Sequence, residues 1–164
     1  MKSKLWNTRN TLPEEIRAEA IGLLNQQLAD AFDLNLQAKQ AHWNVKGVNF
    51  IALHELFDSV QSAVEEFADE LAERAVALGG TAFGTLQAAS SLSRLAEYPL
   101  AADSSRKHVT ALSIALAAFG RTARAAIDTA TQLGDANTAD LFTEVSRNTD
   151  MLLWKVEAHA YGAD

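Results

Sequence analysis

The sequence has no cysteine, which excludes disulfide scaffolds, thiolate zinc sites, iron–sulfur clusters and thiol nucleophiles. Proline is scarce at two residues and glycine is modest at eight, so breaks in regular structure are few. No apolar run approaches the roughly 18 residues of a membrane span, and the opening Met1-Lys2-Ser3-Lys4-Leu5-Trp6 lacks a signal-peptide core. A cytoplasmic protein without a membrane partner is the expectation. Basic charge is outnumbered, with 14 Lys and Arg against 21 Asp and Glu and a net charge of -7, which argues against a basic surface for nucleic acid. The charge is uneven, however. Residues 1–13 hold Lys2, Lys4 and Arg9 and no acid, so the remainder carries -10 and any partner that prefers positive charge must use this arm. What is present, 48% hydrophobic residues in 164, suffices for one cored domain, expected over residues 13–164 behind a short basic arm at 1–12.

The few glycines and prolines fall where helices should start and stop. Thr11-Leu12-Pro13-Glu14 reads as a capping box with proline in the first turn. From it Ile16, Ala20, Leu24, Leu28 and Phe32 recur every four residues in a pattern that runs to about Lys46 and stops at Gly47. A second helix, capped by Asn49, keeps Leu53, Phe57, Val60, Val64, Phe67, Leu71 and Leu78 on one face before Gly79-Gly80. Residues 81–103 are too long for a bare loop, and a short helix is expected near Thr85–Ser90. A third long helix should start near Asp103–Ser105 and end at Gly134, and a fourth should run from about Asn137, with Asp140 in its first turn, to Gly162. No stretch alternates as a strand does. The pattern predicts an all-α protein: a four-helix bundle of ferritin-like connectivity, with a short helix in the long crossover between its second and third long helices.

The four histidines are His42, His54, His108 and His159. His54 and Asp58 form an i, i+4 pair on the second helix, and Asp69 and Glu73 form another on the same face. Each pair alone reads as a solvated helix surface. Asp58 and Asp69 stand about 16 Å apart along a straight helix at about 1.5 Å per residue, so one chain cannot bring both pairs to one ion. Both pairs of positions, 54 with 73 and 58 with 69, nevertheless share one midpoint between Ala63 and Val64. Two antiparallel copies of the helix about a two-fold axis there would face His54 with the partner's Glu73 and Asp58 with the partner's Asp69, giving two identical sites. Small Ser59, Ser62 and Ala63 would permit close approach, and His42 could fold back to add a nitrogen. Two imidazoles and three carboxylates suit iron, manganese or zinc, and open positions favour redox iron over closed structural zinc. His54-Glu55-Leu56-Phe57-Asp58 is not a zinc-protease motif, because Asp58 stands where the second histidine belongs.

Three segments, Lys39-Gln40-Ala41-His42-Trp43-Asn44-Val45-Lys46-Gly47, Asn49-Phe50-Ile51-Ala52-Leu53-His54-Glu55-Leu56-Phe57-Asp58 and Asp69-Glu70-Leu71-Ala72-Glu73-Arg74-Ala75, closely resemble the Dps family (DNA-binding proteins from starved cells), the mini-ferritins. The resemblance extends over essentially the whole chain, through Leu78-Gly79-Gly80, Tyr98-Pro99-Leu100 and Thr138-Ala139-Asp140. It implies that His42, His54 and Asp58 of one chain, with Asp69 and Glu73 of its partner, are ferroxidase ligands. It further implies a homododecameric shell that oxidises Fe(II), preferentially with hydrogen peroxide rather than O2, and stores ferric mineral, with zinc or manganese as possible substitutes for iron.

Other residues carry weaker expectations. Trp43 and Trp154 read as core packing, with Trp43 also placed beside His42 to intercept oxidising equivalents. Lys39 and Lys46 read as solvated or paired with acids, and His108 and His159 as surface or capping residues. Asp128, Asp135 and Asp140 are candidates for acidic pores, where clustered carboxylates would concentrate cations. DNA is a possible partner through the N-terminal arm, by avidity over many copies, while the terminal Ala160-Tyr161-Gly162-Ala163-Asp164 is acidic. The alternatives are a nucleoid-associated DNA-binding protein whose iron oxidation is secondary, and an oligomer stapled by zinc.

Overall fold

The structure is a computed structural model that describes residues 4–161. Lys2, part of the arm's charge, and residues 162–164 lie outside the described residues; the last helix ends at Glu157, short of the expected Gly162, and passes into a 3-10 turn. Four long helices, α1 (Glu14–Asn44), α2 (Phe50–Ala77), α4 (Ser105–Leu133) and α5 (Ala136–Glu157), are joined by a crossover containing the short α3 (Leu86–Leu92). A 3-10 turn at Ala158–Ala160 follows α5. Links 45–49 and 134–135 are too short for anything but antiparallel neighbours. Accordingly α1 packs chiefly on α2 and α4 on α5, α1–α4 and α2–α5 contacts close the bundle, and α3 lies on α1.

The apolar faces explain the packing. Leu24 and Leu28 of α1, Phe57, Val64 and Leu71 of α2, Leu112, Leu116 and Phe119 of α4, and Phe142 and Val145 of α5 are all fully buried in one cluster. Burial stabilises each such side chain by about 1.5–3 kcal/mol. Phe32 and Ile16, at the margins of the α1 pattern, are only half-buried.

Helix ends follow the sequence pattern, but not always its caps. The Thr11 capping box does not form: Pro13 is the N-cap of α1 and makes no side-chain cap bond. A local turn replaces it, in which Asn10 Oδ1 accepts from Leu12 N–H at 2.9 Å, and Glu14 and Glu15 supply negative charge in the first turn. Asn49 also makes no side-chain cap bond, and α1 stops at Asn44 rather than Lys46. Asp135, not Asn137, caps α5 by accepting from Thr138 N–H at 3.1 Å, and no acid lies in the first turn of α5. Thr85 caps α3 (Leu86–Leu92, against an expected Thr85–Ser90), Ser104 caps α4 within the expected start at Asp103–Ser105, and Gly134, at φ +78°, ends α4 as expected.

The crossover is held by polar side chains that face inward from α1. Asp30 is fully buried, and Arg94 answers it with its backbone N–H at 2.8 Å and Nε–H at 3.0 Å. Asp33 accepts from Ser93 Oγ–H at 2.5 Å, and Gln37 donates to Ala96 O at 3.0 Å. At the other end of α1, Trp6 N–H donates to Gly79 O at 2.7 Å, strapping the start of the chain to the end of α2. Gly79 sits at φ +89°, and a Cβ there would lie 2.7 Å from Trp6 O, so both its conformation and its neighbour demand glycine.

Candidate metal centre

His42 lies in the last turn of α1 and His54 in the first turns of α2, and the 45–49 turn folds one onto the other. Gly47, at φ +112°, reverses the chain, and Phe50 N–H closes the turn on Gly47 O at 3.0 Å. The two imidazoles stack with centroids 3.7 Å apart and planes 23° apart. Each ring bonds the other residue's backbone: His42 Nδ1 to His54 O at 2.8 Å, and His54 Nδ1 to His42 O at 2.9 Å. A carbonyl oxygen only accepts, so both Nδ1 atoms must carry hydrogen. In the neutral rings both Nε2 atoms are then left with a lone pair, the form that binds a metal.

Asp58, one turn beyond His54 on α2, brings a carboxylate to the same end, 3.8 Å from His42 Nδ1. That gap is too long for a hydrogen bond. Its direct partner is the Lys39 ammonium, one turn before His42. The Lys39 hydrogen bond, with its charge and those of His42 and His54, holds the Asp58 carboxyl below its ordinary range against some desolvation. This specific pairing escaped the sequence reading, although the i, i+3 spacing of Lys39 and His42 put both on one face of α1.

Asp69 and Glu73 are exposed on α2, about three turns beyond Asp58. Asp69 borders a groove of about 590 Å³ between α2 and α1, lined by Phe32, Asn35, Ser62, Glu66 and Ala72 among others. Its surroundings are strongly negative. The neighbouring Glu70 carboxyl is pushed up by burial and then by the charges of Glu144, Glu66 and Asp69. The chain therefore stacks His42 on His54 with Asp58 3.8 Å from His42, and leaves Asp69 and Glu73 apart. Among the described residues, no three His, Asp or Glu side chains of the single chain converge to hold an ion.

A family model described as the ferritin-like domain matches residues 21–161. A DNA protection during starvation protein of Agrobacterium fabrum is 45% identical over 95% of this chain and 96% of its own length. The chain belongs to the Dps family. Among solved structures, DpsA14 from Streptomyces coelicolor is 32% identical, with TM-score 0.92 over 99% of this chain and 96% of its own. Dps from Microbacterium arborescens in the high iron form is 30% identical, with TM-score 0.84 over 96% of this chain and 100% of its own.

Within this Dps-family chain several weaker expectations change. Trp43 and Trp154 are 66% and 64% exposed, so neither packs in the core of the single chain. Asp135 is buried and cannot line a pore in this conformation: Arg74 donates to its Oδ1 at 2.8 Å, and Thr138 Oγ–H to its Oδ2 at 2.5 Å. Asp128 and Asp140 are exposed. His108 is neither surface nor cap but buried, with Tyr98 OH at its Nδ1, whereas His159 is exposed. The arm is docked where it is described, with Lys4 Nζ 4.5 Å from the Trp6 ring centroid and Leu5 against the core. No helix among the described residues is long and apolar enough to cross a membrane.

Proposed function

We propose that the chain is an iron-storage ferroxidase that works at sites shared between subunits. The observation that carries this reading is the reciprocal His42–His54 clasp, which engages both Nδ1 atoms and leaves both Nε2 lone pairs for a metal, with the Asp58 carboxylate 3.8 Å from His42 Nδ1. The donor set fits Fe(II) as substrate: imidazole nitrogens suit iron, and carboxylates stabilise the ferric product. Zinc and manganese fit the same donors and are its natural competitors. Asp69 and Glu73 are exposed and too far along α2 to serve their own chain's cluster, as a site completed by a partner about a two-fold axis requires.

In this reading the clasp fixes the imidazoles before metal arrives, so little ordering remains when Fe(II) binds. Lys39 keeps Asp58 ionised until then. The acids around Asp69 draw cations toward the partner half of the site. Hydrogen peroxide, preferred over O2, takes one electron from each of two Fe(II) and with two protons gives two Fe(III) and two waters. Ferric mineral then collects inside a homododecameric shell in the cytoplasm, built by residues 13–164. DNA is protected because both reactants of hydroxyl-radical chemistry are removed, and a relative solved in a high iron form supports the storage role.

The alternative, in which DNA compaction by the 1–12 arm is primary, has less support, because the described part of that arm is strapped to α2 through Trp6. Peroxide-driven Fe(II) oxidation by assembled protein decides between them. The His42→Ala/Asp58→Ala variant should lose it while any DNA binding persists, and undiminished oxidation would refute the site. A zinc-stapled oligomer instead predicts slow iron oxidation and an assembly that a chelator dissolves.

A further inference from the structure

One buried pair of titratable side chains takes no part in metal binding. Tyr98, half-buried in the crossover, points its hydroxyl at His108 Nδ1 at 2.5 Å, with the rings 6.1 Å apart between centroids and inclined by 23°. His108 is 2% exposed on the first turn of α4. The pair is tied to the turn that follows His42. The Asn44 backbone, two residues beyond His42, interacts with His108 and favours its charged form, as does the Asp103 carboxylate. The start of α4 is also tied to the same turn, since Ser105 Oγ–H donates to Lys46 O at 2.5 Å.

The arrangement has more chemistry than packing needs. A buried phenol is commonly satisfied by an inert carbonyl, whereas this one faces a base. Burial pushes the Tyr98 phenol up to about 12, so it keeps its proton at rest. Burial also lowers His108, so its ring rests neutral with Nδ1 open to accept. A phenol oxidised beside such a base loses its proton at the same moment and avoids the unstable radical cation.

We infer that Tyr98, with His108 as its proton acceptor, is a one-electron sink for the hydroxyl radical formed when a single Fe(II) reduces peroxide at the neighbouring site. The inference rests on the ferroxidase reading for its source of oxidant. The electron leaves Tyr98 toward the His42 end of α1 and reduces hydroxyl radical to hydroxide. The phenolic proton moves to His108, and neutralisation of hydroxide by that proton returns the imidazole and gives water. A second Fe(II) with one proton then restores the phenol from the neutral tyrosyl radical and becomes Fe(III). The sum equals paired oxidation of two Fe(II) by one peroxide, without release of hydroxyl radical.

Tyr161 is the only other tyrosine, so the test is made in a Tyr161→Phe background. Assembled protein loaded with Fe(II) is mixed with peroxide, freeze-quenched and examined by electron paramagnetic resonance, with spin-trapped hydroxyl radical counted in parallel. The expected result is a tyrosyl signal in the Tyr161→Phe parent and, on further Tyr98→Phe replacement, hydroxyl-radical escape increased severalfold with fewer Fe(II) oxidised per peroxide. His108→Gln should keep the phenol yet weaken the signal and remove its hydrogen–deuterium rate effect, which a purely structural role would not do. No tyrosyl signal in the Tyr161→Phe parent, or an escape of hydroxyl radical that Tyr98→Phe leaves unchanged, overturns the inference. If that parent fails to oxidise Fe(II), the ferroxidase reading falls by itself. Radiolytic azide radicals then supply the oxidant, and a Tyr98 that stays reduced under them overturns the sink.

Discussion

Two backbone carbonyls fix the tautomers of His42 and His54, so the metal-binding form is set by the turn rather than by the metal. Lys39 plays the matching part for Asp58. Replacing Lys39 by Met should raise the Asp58 carboxyl toward its ordinary 3.8, as followed by carboxyl NMR on metal-free protein, and an unmoved titration would contradict the pairing. His108 gives a prediction of opposite sense. Its folded-state pKa lies below 6.5, so between that pKa and 6.5 the unfolded chain binds a proton that the folded chain refuses. Its contribution to stability is therefore full above 6.5 and falls as pH drops through this window. Urea midpoints should decline on acidification, and His108→Gln should flatten that slope, whereas equal slopes would show that His108 is not held neutral. Neither burial nor the Tyr98 partner was legible at position 108, because a histidine in the first turn of a helix looks like a surface residue until a crossover folds over it.

At the scale of elements, the helices were legible because apolar spacing repeats over many turns, and every residue that the α2 pattern named is buried, with Ala68 and Ala75 added to the same face. Caps were less so. Thr11, Asn49 and Asn137 all have capping chemistry, but proline, a tight glycine turn and the better placed Asp135 decide the three ends. The crossover was legible as an insertion, but not its attachment, since Asp30 and Arg94 stand far apart in sequence and neither follows a local pattern. Arg94→Ala should leave a buried carboxylate poorly answered and cost roughly 2–3 kcal/mol in denaturant unfolding. A loss below measurement error would mean that Asp30 finds another partner. Gly79→Ala tests the strap in the same way. It should cost about 1–3 kcal/mol and alter Trp6 fluorescence, because the new Cβ would meet Trp6 O.

For the whole molecule, the sequence names the five proposed ligands as a set, and in the proposed reading what would join them does not reside in one chain. His42 and His54 stack in the single chain with Asp58 3.8 Å from His42, and Asp69 and Glu73 stand exposed about three turns away. Exposed Trp43 and Trp154 point the same way, since apolar rings left in water by one chain are the material of contacts between chains. A native particle of about twelve chains is the expected mass by light scattering, and a stable monomer would remove the storage role. The most direct test mixes two inactive variants. His42→Ala/Asp58→Ala lacks the near half of every site, and Asp69→Ala/Glu73→Ala lacks the far half. Unfolded together and co-assembled, they should form mixed dimers in which one site of the two is intact, restoring about a quarter of the wild-type rate of peroxide-driven Fe(II) oxidation. Restoration on co-assembly, with neither variant active alone, is the predicted result; a mixture as inactive as its components would contradict the shared site.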